Sequence, residues 1–264
     1  MTEIPIYQVD AFTSRPFAGN PAAVCPLDAW LPDEVLLAIA AENNLSETAF
    51  FVRREERVDL RWFTPAVEVD LCGHATLAAG FVMLTKLAPD QREVAFQTRS
   101  GQLVVQRDGD SLRLDLPAWP PVAAEVSDAL AEALGARPSA AVRARDLIAV
   151  FESAEEVRAL RPDMARIAAL DTFAVGVTAP GTGDDADVDF VSRFFAPAKG
   201  VSEDPVTGSL HCSLSPYWAE RLGRSRLAAR QVSRRGGELR CALEGGRVEL
   251  GGQAVLVLEG TLRF

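Results

Sequence analysis

Two glycine-led pairs, Gly73-His74 and Gly208-Ser209, stand at matched places in the chain and could bind an anion. Each pair follows a copy of one hexamer pattern, Arg-aromatic-Phe-x-Pro-Ala, at residues 61–66 and 193–198. Each pair also opens an apolar stretch that is typical of a helix. The N–H groups at a helix start favour a carboxylate or a developing enolate, and the His and Ser side chains would add hydrogen bonds. Alternatively, both side chains are helix N-caps or satisfied polar residues.

Glu47 is the candidate for proton transfer. It lies between a predicted helix and an apolar strip that includes Phe50 and Phe51. A carboxylate that is held against apolar walls has a raised pKa, which suits acid–base catalysis near neutral pH. The alternative interpretation is a solvated glutamate at the start of a strand.

The two turns differ in the residues around them. The spacing from hexamer to glycine is ten residues in the second copy and seven in the first, which brings Glu203-Asp204 close to the second turn. Alignment of the hexamers places Thr207 opposite Cys72. A racemase with two opposed thiols needs a cysteine on each side, and threonine is no acid–base group at neutral pH. The pairing therefore argues against a two-thiol mechanism.

Hydrophobic periodicity predicts the elements that position these residues. Strands are predicted at residues 4–12, 22–25, 48–52, 58–63, 94–96, 101–106, 111–116, 146–151, 172–178 and 188–195, with several short ones in 237–264. Helices are predicted at residues 31–41, 73–86, 127–134 and 155–170, and after Gly208. A similar order of elements occurs on both sides of a proline-rich stretch at residues 117–121, which predicts a linker. We therefore predict a duplicated α+β protein with halves at residues 1–118 and 119–264, and the final strand is a candidate to cross back to the first half.

The composition excludes several classes of function. The 264 residues are 48% hydrophobic and can bury a large core, whereas a net charge of −10 argues against nucleic acid as a partner. No run of residues is apolar and long enough to span a membrane, and no signal-peptide pattern is visible, so we expect a cytoplasmic protein. The four cysteines are far apart and there are two histidines, which argues against a metal site. No glycine-rich nucleotide motif occurs, and we expect no cofactor.

Several motifs together are similar to those of the phenazine-biosynthesis (PhzF-like) isomerase family. They are residues 61–76 and 203–209, with 9–12, 19–21, 45–48 and 231–237 in the same order. The resemblance runs from about residue 5 to the C-terminus. It implies a fold like that of diaminopimelate epimerase: two pseudo-symmetric halves, each a mixed β-barrel around a central helix, with the site between them.

The resemblance also implies roles for individual residues. The phenazine enzyme of this family moves a proton in a dihydro-hydroxyanthranilate without a cofactor, and relatives commonly form homodimers. The predicted catalytic residues, led by the acid–base carboxylate, are Glu47, His74, Asp204 and Ser209. The predicted substrate-binding residues are Gly73, Gly208, Asn20 and Thr207.

We thus predict a cofactor-independent isomerase or epimerase that moves a proton on a small carboxylated substrate. Glu47 would be its single acid–base group, and it would act as a homodimer without nucleic acid, membrane or metal. The alternative from another class is a non-catalytic metabolite-binding or protein-interaction module built on the same fold. The enzyme is favoured because the proton-transfer carboxylate and both anion-binding turns are present together.

Overall fold

A computed structural model describes residues 1–55 and 57–264 of the chain. Up to residue 117 the helices are α1 (Asp33–Asn43) and α2 (Gly73–Val82), and a π turn at Met83–Leu87 continues α2. The strands in this part are β1 (Glu3–Ala11), β2 (Asn20–Leu27), β3 (Glu47–Arg53), β4 (Val58–Phe63), β5 (Glu68–Val69), β6 (Glu93–Thr98), β7 (Gly101–Asp108) and β8 (Ser111–Pro117).

The second part of the chain continues in the same mixture. Its strands are β9 (Val122–Ala124), β10 (Ala140–Arg143), β11 (Leu147–Val150), β12 (Val175–Pro180), β13 (Phe190–Phe195), β14 (Arg226–Gln231), β15 (Gly237–Glu244), β16 (Arg247–Gly252) and β17 (Ala254–Arg263). Its helices are α3 (Asp128–Leu134), α4 (Ala154–Ala159), α5 (Met164–Ala168) and α6 (Gly208–Leu222). The fold is therefore α+β and rich in sheet, which confirms the predicted class. In the part of the chain that the structure describes, no helix is both long and apolar enough to cross a membrane.

The chain divides into two compact units. Unit 1 comprises Met1–Leu116 and Leu250–Phe264, and unit 2 comprises Pro117–Glu249. In unit 1, β1 lies antiparallel to both β17 and β2, and β2 lies parallel to β3. The sheet continues through β4, antiparallel to β3, and then through β6, parallel to β4, and β7, antiparallel to β6.

Both helices of unit 1 pack on this sheet, for different reasons. The apolar positions of α1 lie on one side, so that Leu36 and Ile39 join Phe50 of β3 in a buried cluster. The helix begins after Pro32, with acidic residues in its first turn, and ends at Asn44 in the left-handed conformation. In contrast, α2 is built of small and apolar residues on all sides and is buried almost throughout. A helix of that composition is stable only when it is surrounded by protein.

Unit 2 shows the same succession of strand pairings. There β10 lies antiparallel to β11, β11 parallel to β12, β12 antiparallel to β13, β13 parallel to β14, and β14 antiparallel to β15. The short β9 pairs with the other edge of β10. Residues of α3, α4 and α5 pack with β11, β12 and β13 in one buried cluster, whereas α6 is buried along much of its length.

Residues 155–170 are largely helical, as predicted, but the helix is interrupted. The structure has two short helices there, α4 and α5, with Leu160 and Asp163 as their flanking cap residues. Pro162 lies between them, and a proline removes a helical hydrogen bond and clashes with the preceding turn. Four strands, β5, β9, β10 and β14, were not predicted, because β5, β9 and β10 are very short and β14 is interrupted by arginines.

The hexamer has the same environment in both units. Arg61 of β4 donates two hydrogen bonds to the Glu68 carboxylate, at 2.7 and 2.8 Å, and its guanidinium carbon lies 5.0 Å from the centre of the Phe63 ring. Arg193 of β13 donates two to the Glu203 carboxylate, at 2.7 and 3.1 Å, and lies 5.0 Å from the centre of the Phe195 ring. Glu203 is therefore the partner of a structural arginine, and this leaves Asp204 as the member of the acidic pair to consider for the site.

Candidate active site

In unit 1, three elements bring polar residues together around the start of α2. Asn20 is the first residue of β2 and Glu47 the first of β3, and because these strands are parallel, with Ala22 opposite Glu47, both begin at one edge of the sheet. His74 is the second residue of α2. Its Nδ1 lies 3.1 Å from Asn20 Nδ2, and its Nε2 lies 3.3 Å from Glu47 Oε2. The structure thus brings together three of the predicted residues.

His74 is neutral, and the ring nitrogen that carries its proton can be assigned. Burial lowers the pKa of His74 from 6.5 to about 3, so the ring carries one proton at neutral pH. Asn20 Nδ2 donates to Nδ1, and the ring proton is therefore on Nε2, which faces the Glu47 carboxylate. The Cys72 Sγ lies 3.5 Å from the same Nδ1. Glu47 itself has a side chain that is 16% exposed, so its carboxylate is largely shielded from water.

The predicted apolar walls of Glu47 have other contacts. Phe50 packs edge-on against Phe63, with ring centres 5.7 Å apart, and Phe51 packs against Phe96 at 6.1 Å. Both phenylalanines are fully buried parts of the core. The neighbour of Glu47 that the geometry identifies is therefore the imidazole of His74.

The interpretation of His74 and Ser209 as helix N-caps is wrong. The N-cap residues of α2 and α6 are Cys72 and Thr207, both in an extended conformation. Gly73 and Gly208 are the first residues of the two helices, and His74 and Ser209 the second. The polar side chains of these second residues are thus engaged in tertiary contacts instead of closing their own helix ends.

The strained loop of residues 12–19 leads directly into Asn20, the partner of His74. Phe12 and Phe17 have φ angles of 61° and 67°, in the left-handed region that non-glycine residues rarely adopt. The buried Asp10 carboxylate holds the loop, because its Oδ2 accepts a hydrogen bond from Phe17 N at 2.7 Å. Gly19 has a φ of 64°, and a Cβ there would lie 2.1 Å from Ala11 O. Only glycine fits immediately before Asn20.

In unit 2, Gln231 ties together two predicted residues. Its Oε1 accepts from Thr207 N at 2.9 Å, and its Nε2 donates to Asp204 O at 2.7 Å and to Thr207 Oγ1 at 3.1 Å. The Thr207 hydroxyl donates in turn to Asp204 Oδ2 at 2.5 Å. Gln231 was not among the predicted site residues, although it opens the motif at residues 231–237.

Ser209 has a partner that sequence reasoning missed. The Arg145 guanidinium donates from Nη2 to Ser209 Oγ at 2.9 Å, and it also binds the Asp146 carboxylate. Arg145 lies in the turn between β10 and β11, far from Ser209 in the sequence. It is one of 25 arginines, counted as the 27 Lys and Arg less the two lysines, so no pattern singled it out.

Nearly the whole sequence matches a protein family. The family model described as phenazine biosynthesis-like protein, PhzC-PhzF, matches residues 9–260. The chain belongs to the PhzC-PhzF family. The family resemblance seen in the motifs is therefore confirmed.

Individual relatives of this PhzC-PhzF chain cover its full length. An uncharacterized isomerase from Pseudomonas aeruginosa is 53% identical over 262 residues, which are 99% of this chain and 100% of that protein. The crystal structure of a PhzF-family phenazine biosynthesis protein from Enterococcus faecalis is 44% identical, covers 100% of both chains and has a TM-score of 0.95. The chain is an isomerase of this family.

A more distant structure shows that the PhzC-PhzF fold is shared with epimerases. A hydroxyproline epimerase from Agrobacterium vitis is 11% identical, with a TM-score of 0.60, over 99% of this chain and 91% of that one. At such low identity the likeness concerns the fold alone.

The second histidine of this PhzC-PhzF protein has a structural role. His211 Nδ1 donates to Thr207 O at 2.8 Å, and its ring packs on Phe190 with centres 5.8 Å apart. Burial lowers the pKa of His211 from 6.5 to about 4, with the hydrogen bond to Thr207 opposing the shift. His211 is therefore a neutral ring that fastens the first turn of α6.

One group of residues has donors of the kind that bind metals. Within residues 1–55 and 57–264, the ligand atoms of Glu47, Cys72 and His74 all lie within 4.8 Å of one another. The cysteines and histidines are dispersed in the sequence, but tertiary contacts bring these three residues together. The ring nitrogens of His74 already face Asn20 on one side and Glu47 on the other. This arrangement can hold and share protons between a thiol, an imidazole and a carboxylate.

Proposed function

We propose that the chain is a cofactor-independent isomerase in which Glu47 alone moves a proton on a small carboxylated substrate. The observation that carries the proposal is the contact of 3.3 Å between Glu47 Oε2 and the Nε2 of a neutral His74. A neutral imidazole lies within 3.3 Å of the carboxylate, without the alignment of a hydrogen bond, and adds no positive charge beside it. Glu47 therefore has an uncharged ring as its neighbour in the site, and it remains able to accept a proton.

In the proposed reaction Glu47 removes a proton from an activated carbon of the substrate. It then returns the proton to another position on the same face, so that one group acts first as base and then as acid. Asn20 fixes the ring of His74 by a hydrogen bond, and the ring lies against the Glu47 carboxylate. A base that is held in this way loses little conformational freedom when the substrate binds.

The remaining predicted residues are proposed to bind the substrate. Gly73 and Gly208 would offer backbone N–H groups at the starts of α2 and α6, and the Ser209 hydroxyl would add a further donor. The delocalised anion or the carboxylate of the substrate would accept these hydrogen bonds. We propose that Asp204 binds an amine or hydroxyl group of the substrate. The Thr207 hydroxyl holds the Asp204 carboxylate in place for this contact.

We further propose that units 1 and 2 are pseudo-symmetric halves of an epimerase-like fold. Support comes from the shared succession of strand pairings and from the matched environments of Arg61 and Arg193. The proposed halves are residues 1–118 and 119–264, with β17 contributed to the first half. Assembly as a homodimer and a cytoplasmic location stay predictions.

The test is exchange of substrate hydrogen with solvent in Glu47→Gln. A panel of small cyclic and amino-acid-derived carboxylates is incubated in D₂O with the wild-type protein, and deuterium incorporation is followed by mass spectrometry. We expect incorporation into at least one compound with the wild type and none with Glu47→Gln, because an amide cannot accept the proton.

The matched control is Glu42→Gln, which makes the same change on the exposed surface of α1 and should leave exchange intact. Equal thermal stability of the two variants shows that loss of exchange is not loss of fold. Deuterium incorporation at the wild-type rate in Glu47→Gln would remove Glu47 from the mechanism.

A further inference from the structure

Arg145 is the residue of unit 2 whose contacts are unexplained by the fold alone. Its Nε and Nη2 each donate to the Asp146 carboxylate, both at 3.1 Å, and Nη2 also donates to Ser209 Oγ at 2.9 Å. Nη1 makes no hydrogen bond within the described residues, and the side chain is 32% exposed. The guanidinium is thus fixed by two partners and still has an edge open to solvent.

Aromatic rings hold the guanidinium plane. Its central carbon lies 5.2 Å from the centre of the Trp119 ring and 4.5 Å from that of Phe173. Phe173 is 44% exposed, an unusual position for so large an apolar ring, and Lys199 Nζ lies 5.1 Å from its centre. Two cations therefore share one exposed ring, which is a setting that attracts an anion.

The position of Trp119 depends on a proline in α6. Pro216 has no N–H, so the carbonyl of Cys212 lacks its usual helical partner. Trp119 N donates to Cys212 O at 2.9 Å instead. The tryptophan that packs on Arg145 is in this way fastened to the same helix that carries Ser209, and this fixes the Arg145–Ser209 geometry further.

The contact with Arg145 decides how the Ser209 hydroxyl is used. Because Ser209 Oγ accepts a hydrogen bond from a cation, its own O–H stays available as a donor. A donor that is polarised by a neighbouring cation forms a stronger hydrogen bond to an anion. The Ser209 O–H and the open Nη1 edge of Arg145 are then two adjacent donors, as a planar carboxylate with two oxygens requires.

We propose that Arg145 positions Ser209 and forms with it a subsite for the carboxylate of the substrate. This inference rests on the proposed function, in which Ser209 binds the substrate. The additional point is that the Arg145 guanidinium itself binds the carboxylate. Asp146, Trp119 and Phe173 hold the guanidinium in place for this contact.

The test removes Arg145 without leaving a buried charge. Asp146 is 1% exposed, so Arg145→Met alone would strand its carboxylate, whereas Arg145→Met with Asp146→Asn removes both charges together. The probe is anthranilate, a fluorescent aromatic carboxylate, and anthranilamide is the uncharged counterpart of the same shape. Binding is measured by fluorescence titration at fixed salt.

We expect the double variant to bind anthranilate about tenfold or more weakly than wild type, with little change for anthranilamide. Ser209→Ala should weaken anthranilate binding less when it is added to the double variant than when it is made in the wild type, because Arg145 no longer polarises the hydroxyl. Arg143→Met is the control, since this exposed arginine lies two residues away and donates to a backbone carbonyl. A purely structural role of Arg145 would weaken both probes equally.

Three outcomes separate this inference from the proposed function. Unchanged discrimination between anthranilate and anthranilamide in the double variant would overturn the role of Arg145 and leave the role of Glu47 standing. Absence of any such discrimination in the wild type would also overturn it. Binding in Glu47→Gln should match the wild type, so failure of the proton-transfer proposal would appear only in the deuterium experiment.

Discussion

Two buried histidines serve the protein in opposite tautomers. His74 accepts a hydrogen bond at Nδ1 from Asn20 and directs its Nε2 proton towards Glu47, whereas His211 donates from Nδ1 to Thr207 O. Both rings are neutral at neutral pH because burial lowers the pKa of each well below 6.5. A neutral ring beside Glu47 adds no positive charge next to that carboxylate, and the neutral ring in α6 has a structural role.

The same burial predicts that the protein loses stability in mild acid. The unfolded chain binds protons on both histidines below about pH 6.5, and the folded protein does so only near 3 for His74 and 4 for His211. Their contribution to stability is therefore complete above pH 6.5 and is lost as the pH falls towards 4. From about pH 7.5 to about pH 5 each should cost about 2 kcal/mol of unfolding free energy.

Urea unfolding at several pH values measures how the unfolding free energy changes with pH. The His211→Phe variant isolates the contribution of one of the two histidines. Phenylalanine keeps the packing against Phe190 but cannot titrate. We expect the loss between the two pH values to be smaller by about 2 kcal/mol in the variant. An unchanged slope would show that His211 takes up its proton in the folded state.

The candidate site residues could be predicted from the sequence where a local motif surrounds them. Glu47, His74 and Asn20 each stand in such a motif, and the structure brings these three together. The contact between them could not be predicted, because it depends on two parallel strands beginning at one sheet edge. Arg145 acts through tertiary contacts alone, and no periodicity or spacing marks a residue of that kind. Gln231 stands in the motif at residues 231–237, but its contacts with Thr207 and Asp204 depend on the fold.

At the scale of elements, each buried helix packs closely against a strand at a glycine contact. A Cβ on Gly80 of α2 would lie 2.5 Å from Cγ1 and 2.7 Å from Cβ of Val105 on β7. A Cβ on Gly176 of β12 would lie 2.6 Å from Leu210 Cδ1 on α6. The first neighbour is a stiff β-branched side chain, and the second is the end of a flexible one.

This difference predicts unequal costs for the same substitution. Gly80→Ala should lower the unfolding free energy by about 2–3 kcal/mol, because Val105 cannot move away from the new methyl group. Gly176→Ala should cost about 1 kcal/mol or less, because Leu210 can change rotamer. Chemical denaturation of both variants makes the comparison, and equal costs would contradict it.

A second substitution checks the cause. Val105→Ala removes the clashing methyl groups, so the Gly80→Ala, Val105→Ala variant should be less destabilised than the sum of its single changes. Additive costs would mean that the two Cγ methyl groups are not the cause, since Val105→Ala keeps the Cβ that would lie 2.7 Å from the new methyl group.

Elements with long and regular patterns could be predicted from the sequence, and those decided by pairing could not. The strand β3 contains a continuous apolar run, β4 begins with alternating apolar and polar residues, and α2 was recognised from its apolar run. The short β9 and β10 exist because they pair with one another, although three or four residues carry too little pattern to be recognised. At α4 and α5 the apolar periodicity continued across Pro162, and the backbone restriction of proline overrode it.

At the scale of the molecule, unit 1 is assembled from two distant parts of the chain. Strand β17 pairs antiparallel with β1 along the whole length of β1, from Glu3 opposite Arg263 to Ala11 opposite Ala254. A strand that lies between two others loses half of its backbone hydrogen bonds when one neighbour is removed. Unit 1 should therefore depend on residues near the end of the sequence.

Removal of residues 254–264 tests this dependence. We expect β1 amides to lose most of their protection in hydrogen exchange and unit 1 to unfold at lower denaturant concentration. A chain that lacks only Phe264 keeps every β1–β17 register pair and serves as the control. Full protection of β1 in the shorter chain would show that β17 is dispensable for unit 1.

The four cysteines have a practical consequence. All are buried, Cys25 and Cys72 in unit 1 and Cys212 and Cys241 in unit 2, and burial raises the pKa of Cys25, Cys212 and Cys241 to about 12. A folded protein of this kind reacts slowly with thiol reagents, so labelling requires local or global opening. Because each unit carries its own pair, mass spectrometry of the labelled peptides would time the opening of each unit separately, in the natural sequence and without an added probe.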